Sequence, residues 1–476
     1  MPLHITNSLT RTKQLFEPIE PGFVRMYVCG PTVYDSPHLG HAKSYIGFDV
    51  IVRYLRHAGY NVRYVQNITD VGHLTNEADD SGEDKIERRA RSERLEPMQI
   101  VETYTREFFS AMDRLNVLRP DISPRASGHV PEIIGLCEIL IERGWAYESD
   151  GNVYFDVAKW AAAGHYGKLS GRDLEDQESN TRGTVAEGKR HPSDFALWKK
   201  GTPEHIMRWP SPWGDGYPGW HVECSAMSMK YLGETIDIHG GGVENMFPHH
   251  EDEIAQSEAA TGHPFVHYWV HNGSLKIDGV KMSKSLGNFI TVTQALEKWP
   301  AEVLRLFFLS SHYRSMTDFS DEAIEAARKG YDRLTTALAH ATRLAGDAEP
   351  APSAVSEAAW ERFRTAMDDD FNTPVAVSVL FELASEINKT APGDNRGLAA
   401  LRAALLQIGA VLGLTFETVS AVGDAGIERL MALILDMRQK ARAEKDWGAA
   451  DQIRDALKEA GIVVEDGPDG SIWRRS

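Results

Sequence analysis

The segment FVRMYVCGPTVYDSPHLGHAKSYIGFDVIVRYLRHAGYNVRYVQNI, residues 23–68, decides the fold. Phe23–Cys29 is a short apolar run rich in β-forming residues, and a loop rich in Gly, Pro and Ser follows it. Apolar residues then recur at helical spacing over Leu39–His57, and Asn61–Ile68 has the composition of a second strand. Two strands joined by a helix favour a parallel α/β sheet, because parallel neighbours need a crossover connection.

The pattern changes several times downstream of this unit. Residues 72–97 are polar and acidic and predict a loop or insertion, whereas residues 100–145 have helical periodicity. Residues 151–219 are irregular and rich in Gly, Pro and Trp, which is typical of an insertion between two halves of a sheet domain. An α/β pattern resumes at His221, and helical periodicity occupies residues 301–414.

Composition limits the classes of protein that the chain can be. A length of 476 residues suggests about three domains. The formal net charge of -18 argues against a broad basic surface, so any nucleic acid must be bound by local basic patches. Three cysteines are too few for a disulfide scaffold and indicate a reducing compartment. Signal-peptide features and long apolar runs are both lacking, so a soluble cytoplasmic protein without a membrane segment is expected.

The first of two phosphate motifs is His38-Leu-Gly-His41, where the first strand leads into the helix. A helix N-terminus attracts phosphate, and Gly40 lets a nucleotide approach the backbone closely. His38 and His41 can donate hydrogen bonds to phosphate oxygens as charge develops. Taken alone, the pattern also fits two surface histidines of a helix.

The second phosphate motif is Lys281-Met-Ser-Lys-Ser285, flanked by Gly279 and Gly287. The flanking glycines permit loop movement, and the Lys281 and Lys284 ammonium groups can hold a triphosphate and stabilise departing pyrophosphate. Ser283 adds a hydroxyl between them. A solvated basic turn is the alternative interpretation.

Four dispersed residues form a chemically competent set of zinc ligands. Cys29 closes the first strand, and Cys224 lies in the later α/β segment. His249 and Glu253 are four residues apart, which places them on one face of a helix that would begin at Pro248. Two thiolates, an imidazole and a carboxylate suit zinc. The dispersed spacing leaves open that both cysteines are buried apolar residues instead.

Taken together, the two phosphate motifs resemble the HIGH and KMSKS signatures of class I aminoacyl-tRNA synthetases. The second motif matches that consensus, and the first differs only in having Leu39 for Ile. Further stretches closely resemble the cysteinyl-tRNA synthetase family, and the similarity covers essentially the whole chain. These stretches are Tyr27–Asp35, Asn67–Asp70, Pro212–Gly214, Gly219–Met227, Asp237–Gly242, Phe247–His250 and Ala449–Arg475.

The resemblance implies the roles of individual residues. One Zn²⁺ per chain would be bound by Cys29, Cys224, His249 and Glu253. ATP, with Mg²⁺, would be bound by His38, Gly40, His41, Lys281, Ser283 and Lys284. Within that set the catalytic residues would be His38, His41, Lys281 and Lys284. The cysteine pocket would be lined by Gly30, Thr69 and Trp220, although Trp220 equally fits a core position.

Zinc would explain how cysteine is distinguished from serine. A metal stabilises a thiolate over a thiol, and a serine hydroxyl is a much poorer zinc ligand. A specific metal contact separates isosteres more strongly than an apolar pocket does. Discrimination is therefore expected at the activation step, without an editing domain.

The resemblance also implies an α/β fold with three domains. We predict a Rossmann-like parallel-sheet catalytic domain over residues 1–319, with an inserted connective segment at about 120–210. The loop at residues 281–285 would belong to this domain. An α-helical bundle over residues 320–414 and a small mixed α/β anticodon-binding domain over residues 428–476 would follow.

The tail is predicted to form two helices and two short β segments, at Gly461–Val464 and Ser471–Trp473. It is nearly neutral, unlike the whole chain. Its basic residues cluster on adjacent turns and beside an aromatic residue, an arrangement that suits unpaired RNA bases. They are Arg438, Lys440, Arg442, Lys445, Arg474 and Arg475. A solvated helix face is the alternative interpretation.

One segment departs from the resemblance. Val71–Glu83 is longer than the corresponding part of many family members and predicts a surface insertion near the mouth of the active site. Its His73 and acidic residues could bind a second cation, but a solvated loop is the expectation. Cys137 lies in an apolar helical run and is predicted to be in the core.

The predicted function is ATP-dependent activation of L-cysteine to an adenylate and transfer to tRNA(Cys), by a monomer. One alternative is a ligase that joins cysteine to a small amine, which would share the zinc and phosphate motifs but need no anticodon-binding tail. The other is a non-catalytic tRNA-binding paralogue. The intact phosphate and zinc motifs argue against that second alternative.

Overall fold

The computed structural model describes residues 2–72, 74–76, 81–172, 188–203, 205–282, 286–351, 353–391, 393–416, 425–467 and 470–475. The chain divides into two compact units, Met1–Phe416 and Glu417–Ser476. In this described part, no helix combines the length and apolar character that crossing a bilayer requires.

The strands of the first unit follow in chain order. They are β1 (His4–Asn7), β2 (Thr12–Leu15), β3 (Phe23–Val28), β4 (Asn61–Gln66), β5 (Leu74–Asn76), β6 (Ser81–Asp84), β7 (Ala146–Ser149), β8 (Asn152–Phe155), β9 (Phe195–Lys200), β10 (Gly216–Pro218), β11 (Ile236–Gly242), β12 (Val266–Asn272), β13 (Leu275–Ile277), β14 (Val280–Lys281) and β15 (Thr317–Phe319).

The helices of the first unit are α1 (Leu39–His57), α2 (Lys85–Glu93), α3 (Pro97–Arg114), α4 (Val130–Glu142), α5 (Val157–Ala162), α6 (Trp220–Leu232), α7 (His249–Thr261), α8 (Val292–Lys298), α9 (Ala301–Leu309), α10 (Asp321–Ala345), α11 (Ala354–Asp368), α12 (Thr373–Lys389) and α13 (Asn395–Val411). The second unit contains α14 (Ala425–Ala443), α15 (Trp447–Glu459), β16 (Ile462–Gly467) and β17 (Gly470–Arg475).

A parallel four-stranded sheet in the order β12-β11-β3-β4 organises the first unit. All three pairings are parallel, and α1 joins β3 to β4 as the sequence predicts. The central strand β3 contributes fully buried Val24, Met26 and Val28. The predicted α/β fold is confirmed, with a parallel sheet, a helical region after it and short strands near the C-terminus.

Two segments that sequence patterns described as irregular are regular. Residues 72–97 contain the antiparallel strands β5 and β6 and then α2, so of the predicted loop or insertion the loop is wrong. Asp84 starts α2 by accepting hydrogen bonds from the backbone of Ile86 (2.7 Å) and Glu87 (3.0 Å), and Ile86 and Ala90 are buried on one face. His73, proposed above for a second cation, lies outside the described residues.

Residues 151–219 include three strands of an antiparallel sheet in the order β10-β9-β8-β7, although the sequence predicted irregular structure. The strands are short and widely separated along the chain, with α5 between β8 and β9, so their periodicity is concealed. Phe155, Leu197 and Trp198 are nevertheless fully buried and supply a second core. Cys137 is buried in the same core, as predicted.

The helical region after the sheet packs as α10–α13, with the short strand β15 before it. Its connection to the sheet passes through a buried guanidinium. Arg305 on α9 donates to the backbone carbonyls of Leu412 (2.7 Å) and Leu115 (3.1 Å) and forms an ion pair with Asp49 on α1. These contacts join α9 to α1 and to the C-terminal ends of α3 and α13, which are distant in sequence.

In the second unit, two helices precede an antiparallel hairpin of β16 and β17. The side chain of Arg438 is buried and donates to Ser471 Oγ at 3.2 Å, which links α14 to the hairpin. The helix–helix–strand order agrees with the sequence prediction. Arg438 therefore supports this unit from within, unlike the exposed basic residues around it.

Arg305→Met is expected to lower the free energy of unfolding by about 3 kcal/mol, because it removes the donor to the Leu412 and Leu115 carbonyls and leaves Arg53 as the remaining ion-pair partner of the buried Asp49 carboxylate. Urea denaturation followed by circular dichroism measures this change. The control is Arg328→Met, which removes an exposed pair with Glu325 and should cost about 0–1 kcal/mol. Equal effects of the two substitutions would contradict the assigned role of Arg305.

Candidate active site

The candidate site lies at the carboxyl edge of the parallel sheet. From β3 the chain passes through α1 to β4 on one side, whereas β11 lies on the other side of β3. A crevice forms where the strand order reverses in this way, and it is the usual ligand site of open α/β sheets. Cys29 and Gly30 directly follow β3 at this point.

The structure brings the four predicted zinc ligands together. One ligand atom from each of Cys29, Cys224, His249 and Glu253 lies within 4.8 Å of the others, and all four residues are buried. Cys224 lies on α6, and His249 and Glu253 lie on α7. Their i, i+4 spacing places His249 Nε2 3.1 Å from Glu253 Oε1. Pro248 is the N-cap of α7 and not its first helical residue.

The side-chain types of this set are those that bind a zinc ion. Zinc binds thiolate, imidazole and carboxylate groups in tetrahedral sites with ligand distances of about 2.0–2.3 Å. Burial raises the pKa of the Cys29 thiol and of the Glu253 carboxyl, so the charged forms of these groups need a compensating cation. A divalent metal ion would supply it.

Sequence reasoning missed a group of buried histidines around this set. His249 Nδ1 lies 2.9 Å from His221 Nδ1, and His221 Nε2 lies 3.5 Å from Asp252 Oδ2. Such a series of polar contacts orients a metal-binding imidazole and fixes its tautomer. The only sequence signal was that His221 is adjacent to motif residues, which does not indicate which atoms meet.

Two further histidines contact the ligands themselves. His250 Nε2 is 3.2 Å from Cys29 Sγ, and His239 Nε2 is 2.9 Å from Glu253 Oε2. Burial lowers the pKa of His239 to about 3 and that of His250 in the same direction, so both rings are neutral near pH 7. With Cys29 and Glu253 they make a second group of four potential ligands, which shares two members with the first.

The three residues predicted to bind cysteine border the same site. The backbone N–H of Gly30 donates to Asn67 Oδ1 at 2.7 Å, and Asn67 Nδ2 donates to Thr69 Oγ1 at 3.1 Å. The ring of Trp220 stacks on His249 with a centroid distance of 4.5 Å. Trp220 is half-buried and is therefore not a core residue.

His38 and His41 cap the N-terminus of α1 reciprocally. His38 Nδ1 accepts from the backbone of Gly40 (3.1 Å) and His41 (3.4 Å), and His41 Nδ1 accepts from the backbone of His38 at 3.2 Å. The rings stack 3.8 Å apart. Because each Nδ1 is an acceptor, the proton of each neutral ring is on Nε2. Each imidazole therefore carries an Nε2–H group that can donate to a phosphate, whereas the backbone N–H groups of Gly40 and His41 are bonded to His38.

The second phosphate motif reaches the first. Lys281 is exposed at the end of β14, and the Met282 side chain lies over Gly40, where an added Cβ would be 3.4 Å from Met282 Cε. The ring of Phe289 meets the edge of His38 at 5.1 Å. Ser283 and Lys284 lie outside the described residues.

Comparison with known proteins agrees with this arrangement. Residues 15–329 match the family model of tRNA synthetases class I (C) catalytic domains, residues 362–417 match the DALR domain, and residues 431–474 match the cysteinyl-tRNA ligase anticodon binding domain. Among solved structures, a methionyl-tRNA synthetase of Mycobacterium tuberculosis has a TM-score of 0.57 at 17% identity, covering 84% of this chain and 92% of that one. That likeness shows the fold.

Fold and site together define a class I aminoacyl-tRNA synthetase. A cysteine–tRNA ligase of Chlorobaculum tepidum is 53% identical over 99% of both chains. Another, from Deinococcus radiodurans, is 54% identical over 98% of this chain and 96% of its own. The chain belongs to the cysteine–tRNA ligase family.

Gly30→Ala is expected to destabilise the protein by about 1–3 kcal/mol and to reduce activity, because a Cβ here would overlap the carbonyl oxygen of Asn67. Thermal melting and cysteine-dependent exchange of pyrophosphate into ATP measure the two effects. Gly128→Ala is the control, since a Cβ at Gly128 has no neighbour within 4 Å. Wild-type behaviour of Gly30→Ala would show that the close packing at Gly30 is unimportant.

Proposed function

We propose that the chain activates L-cysteine with ATP to form cysteinyl-adenylate and transfers the cysteinyl group to tRNA(Cys), with a zinc-bound thiolate as the basis of amino-acid selection. The observation that carries this proposal is the buried set of two thiols, an imidazole and a carboxyl, which Tyr45 links to the first phosphate motif by donating to the Cys29 carbonyl at 3.2 Å and stacking on His41.

In the proposal, Cys29, Cys224, His249 and Glu253 hold one zinc ion, whose charge favours the thiolate of the substrate over its thiol. His239 orients the Glu253 carboxylate, and His250 orients the Cys29 thiolate, through the contacts described above. Trp220 and Gly30 limit the width of the pocket, which keeps the reacting groups close together.

The two phosphate motifs act on the other substrate. The Nε2–H groups of His38 and His41 are proposed to donate to the α-phosphate as the carboxylate of cysteine attacks it. Lys281 and Lys284, with a Mg²⁺ ion, would neutralise the departing pyrophosphate. Each contact strengthens as negative charge develops, so these residues should contribute mainly to the rate of the chemical step.

The second unit favours a tRNA substrate over a small amine. Residues 431–474 match an anticodon-binding domain, and a ligase acting on a small amine has no need of one. The exposed basic side chains of this unit, such as Lys440 and Lys445, suit RNA contacts. The alternative of a non-catalytic paralogue lacks support, because the four potential zinc ligands are clustered and Met282 of the second phosphate motif lies next to Gly40 of the first.

The purified protein is expected to contain one zinc per chain, and Cys224→Ala is expected to lose most of it. The rate of cysteine-dependent pyrophosphate exchange should fall by more than the roughly 10–100-fold that is typical when a residue hydrogen-bonded to a metal ligand is replaced. The preference for cysteine over serine should also decrease. Elemental analysis and exchange assays with both amino acids measure these effects.

Cys137→Ala is the matched control for that experiment, because Cys137 is also a buried thiol but belongs to neither group of potential metal ligands among the described residues. It should keep its zinc and its selectivity. If the wild-type chain is active and selective without stoichiometric metal, the zinc proposal fails.

Ending the chain after Phe416, at the boundary between the units, should separate the two half-reactions. Adenylate formation needs only ATP and cysteine and should largely persist. The kcat/KM for charging tRNA should fall about tenfold for every ~1.4 kcal/mol of tRNA-binding free energy that the truncation removes. Pyrophosphate exchange and aminoacylation assays on the folded truncation compare the two steps, and undiminished charging would contradict a tRNA-binding role for the second unit.

A further inference from the structure

Among the residues that the structure describes, no acidic side chain is hydrogen-bonded to the buried cation of Lys43. Its side chain is on α1, two residues after His41, and the residue is only 5% exposed. The Lys43 Nζ donates to the carbonyl oxygens of Gly273 at 2.5 Å and Tyr313 at 3.2 Å. Burying an ammonium group is costly unless its charge is compensated and its hydrogen bonds are satisfied. The contacts of Lys43 therefore call for an explanation.

The two acceptors of Lys43 stand at the start of the strands that carry the second phosphate motif. Gly273 links β12 to β13, and Tyr313 shortly precedes β15. β13 pairs with β15 in parallel and with β14 in antiparallel register, and β14 ends at Lys281. One ammonium group thus holds both strands that support Lys281.

The junction at Gly273 leaves little room for movement. Its backbone N–H donates to the Tyr313 carbonyl at 2.9 Å. A Cβ at Gly273 would overlap the carbonyl oxygens of Arg314 and Ser315, so the two chain segments touch directly. A shift of the ammonium group would therefore be passed to both strands.

Other contacts tie the same region to α1. Ser44 Oγ donates to Asn272 Oδ1 at 2.9 Å, next to the Lys43 contacts. On the far side of the motif, the backbone N–H of Leu39 donates to the Ile290 carbonyl at 3.0 Å, and that of Val292 donates to the Pro37 carbonyl at 2.8 Å. The helix that carries His38 and His41 is thus bonded to both ends of the chain segment that contains the lysine motif.

The protonated form of Lys43 is the one that can make both contacts as a donor. Burial lowers its pKa to about 8, while the negative charge of Glu244 opposes that decrease. At pH 7 the side chain is therefore still an ammonium group. An apolar residue would fill the same space without the cost of desolvation, which points to a role for the donated hydrogen bonds.

We propose that Lys43 is a positioning residue that sets the separation between the His38–His41 pair and Lys281 during adenylate formation. The inference rests on the proposed function, since it assumes that both motifs act on ATP. It adds a residue that touches neither substrate and works through the strands on which Lys281 stands. A misplacement of about 1 Å between such groups costs on the order of 100-fold in rate.

Lys43→Met tests this proposal, because methionine keeps much of the volume and removes the donor. The kcat of cysteine-dependent pyrophosphate exchange should fall about 10- to 100-fold. The KM for cysteine and the zinc content should stay near wild type, because the ligand set does not contact Lys43. Lys43→Arg, which retains a cation with several donors, should recover most of the rate.

Tyr54→Phe is the matched control for lost stability. Tyr54 is buried on the same helix, and its hydroxyl donates to Asp368 at 2.7 Å, well away from the two motifs. This variant should lower the melting temperature without changing the kcat of exchange. If Lys43→Met loses stability to the same extent and keeps the wild-type kcat, Lys43 is merely structural and the proposal is overturned.

If Lys43→Met does not fold, Ser44→Ala provides the same test at the neighbouring anchor. Its kcat should fall by a smaller factor at unchanged KM for cysteine, and an unchanged kcat would overturn the proposal. A wild-type chain without cysteine-dependent exchange would refute the proposed function itself. An active wild type with an equally active, folded Lys43→Met refutes only the role of Lys43.

Discussion

The rest of the structure depends on burying several ionisable groups at one point on the carboxyl edge of the sheet. Cys29, Cys224 and Glu253 would repel one another if charged, and burial makes each charge costly. The cost is offset only when hydrogen-bond partners and a cation are held in fixed positions. This requirement accounts for the buried polar contacts around the site, such as those of His250 with Cys29 and of His239 with Glu253.

Helix α7 shows how side chains of the site are held in fixed positions. One face carries His249 and Glu253, and the adjacent acids bind the inserted segment. Glu251 accepts hydrogen bonds from three backbone N–H groups, of Gly167, Leu169 and Ser170, at 2.8–3.0 Å. Asp252 accepts from Tyr166 at 3.1 Å. The insertion therefore does more than extend the domain, because it clamps the helix that presents two of the proposed metal ligands.

How much could be predicted from the sequence differs between parts of the molecule. The β-α-β unit was predictable because apolar periodicity and glycine breaks are local signals. The small strands of residues 151–219 were not predictable, because their pairing is long-range and the segments between them interrupt the pattern. The zinc set was recognised by residue type and resemblance, whereas His239 and His250 depend on strand register and helix phase, which place them against Glu253 and Cys29. The functional roles of all these residues remain predictions.

Helix α1 connects the parts of the first unit in a definite order along its length. Its first turn presents the stacked His38 and His41, and its second turn carries Lys43. Asp49, near its middle, pairs with the buried Arg305, and Tyr54 reaches α11 through Asp368. The contacts of Asp49 and Tyr54 hold the later turns of α1 to the helices that follow the sheet, whereas the contacts of Lys43 fix the turns next to the proposed phosphate site.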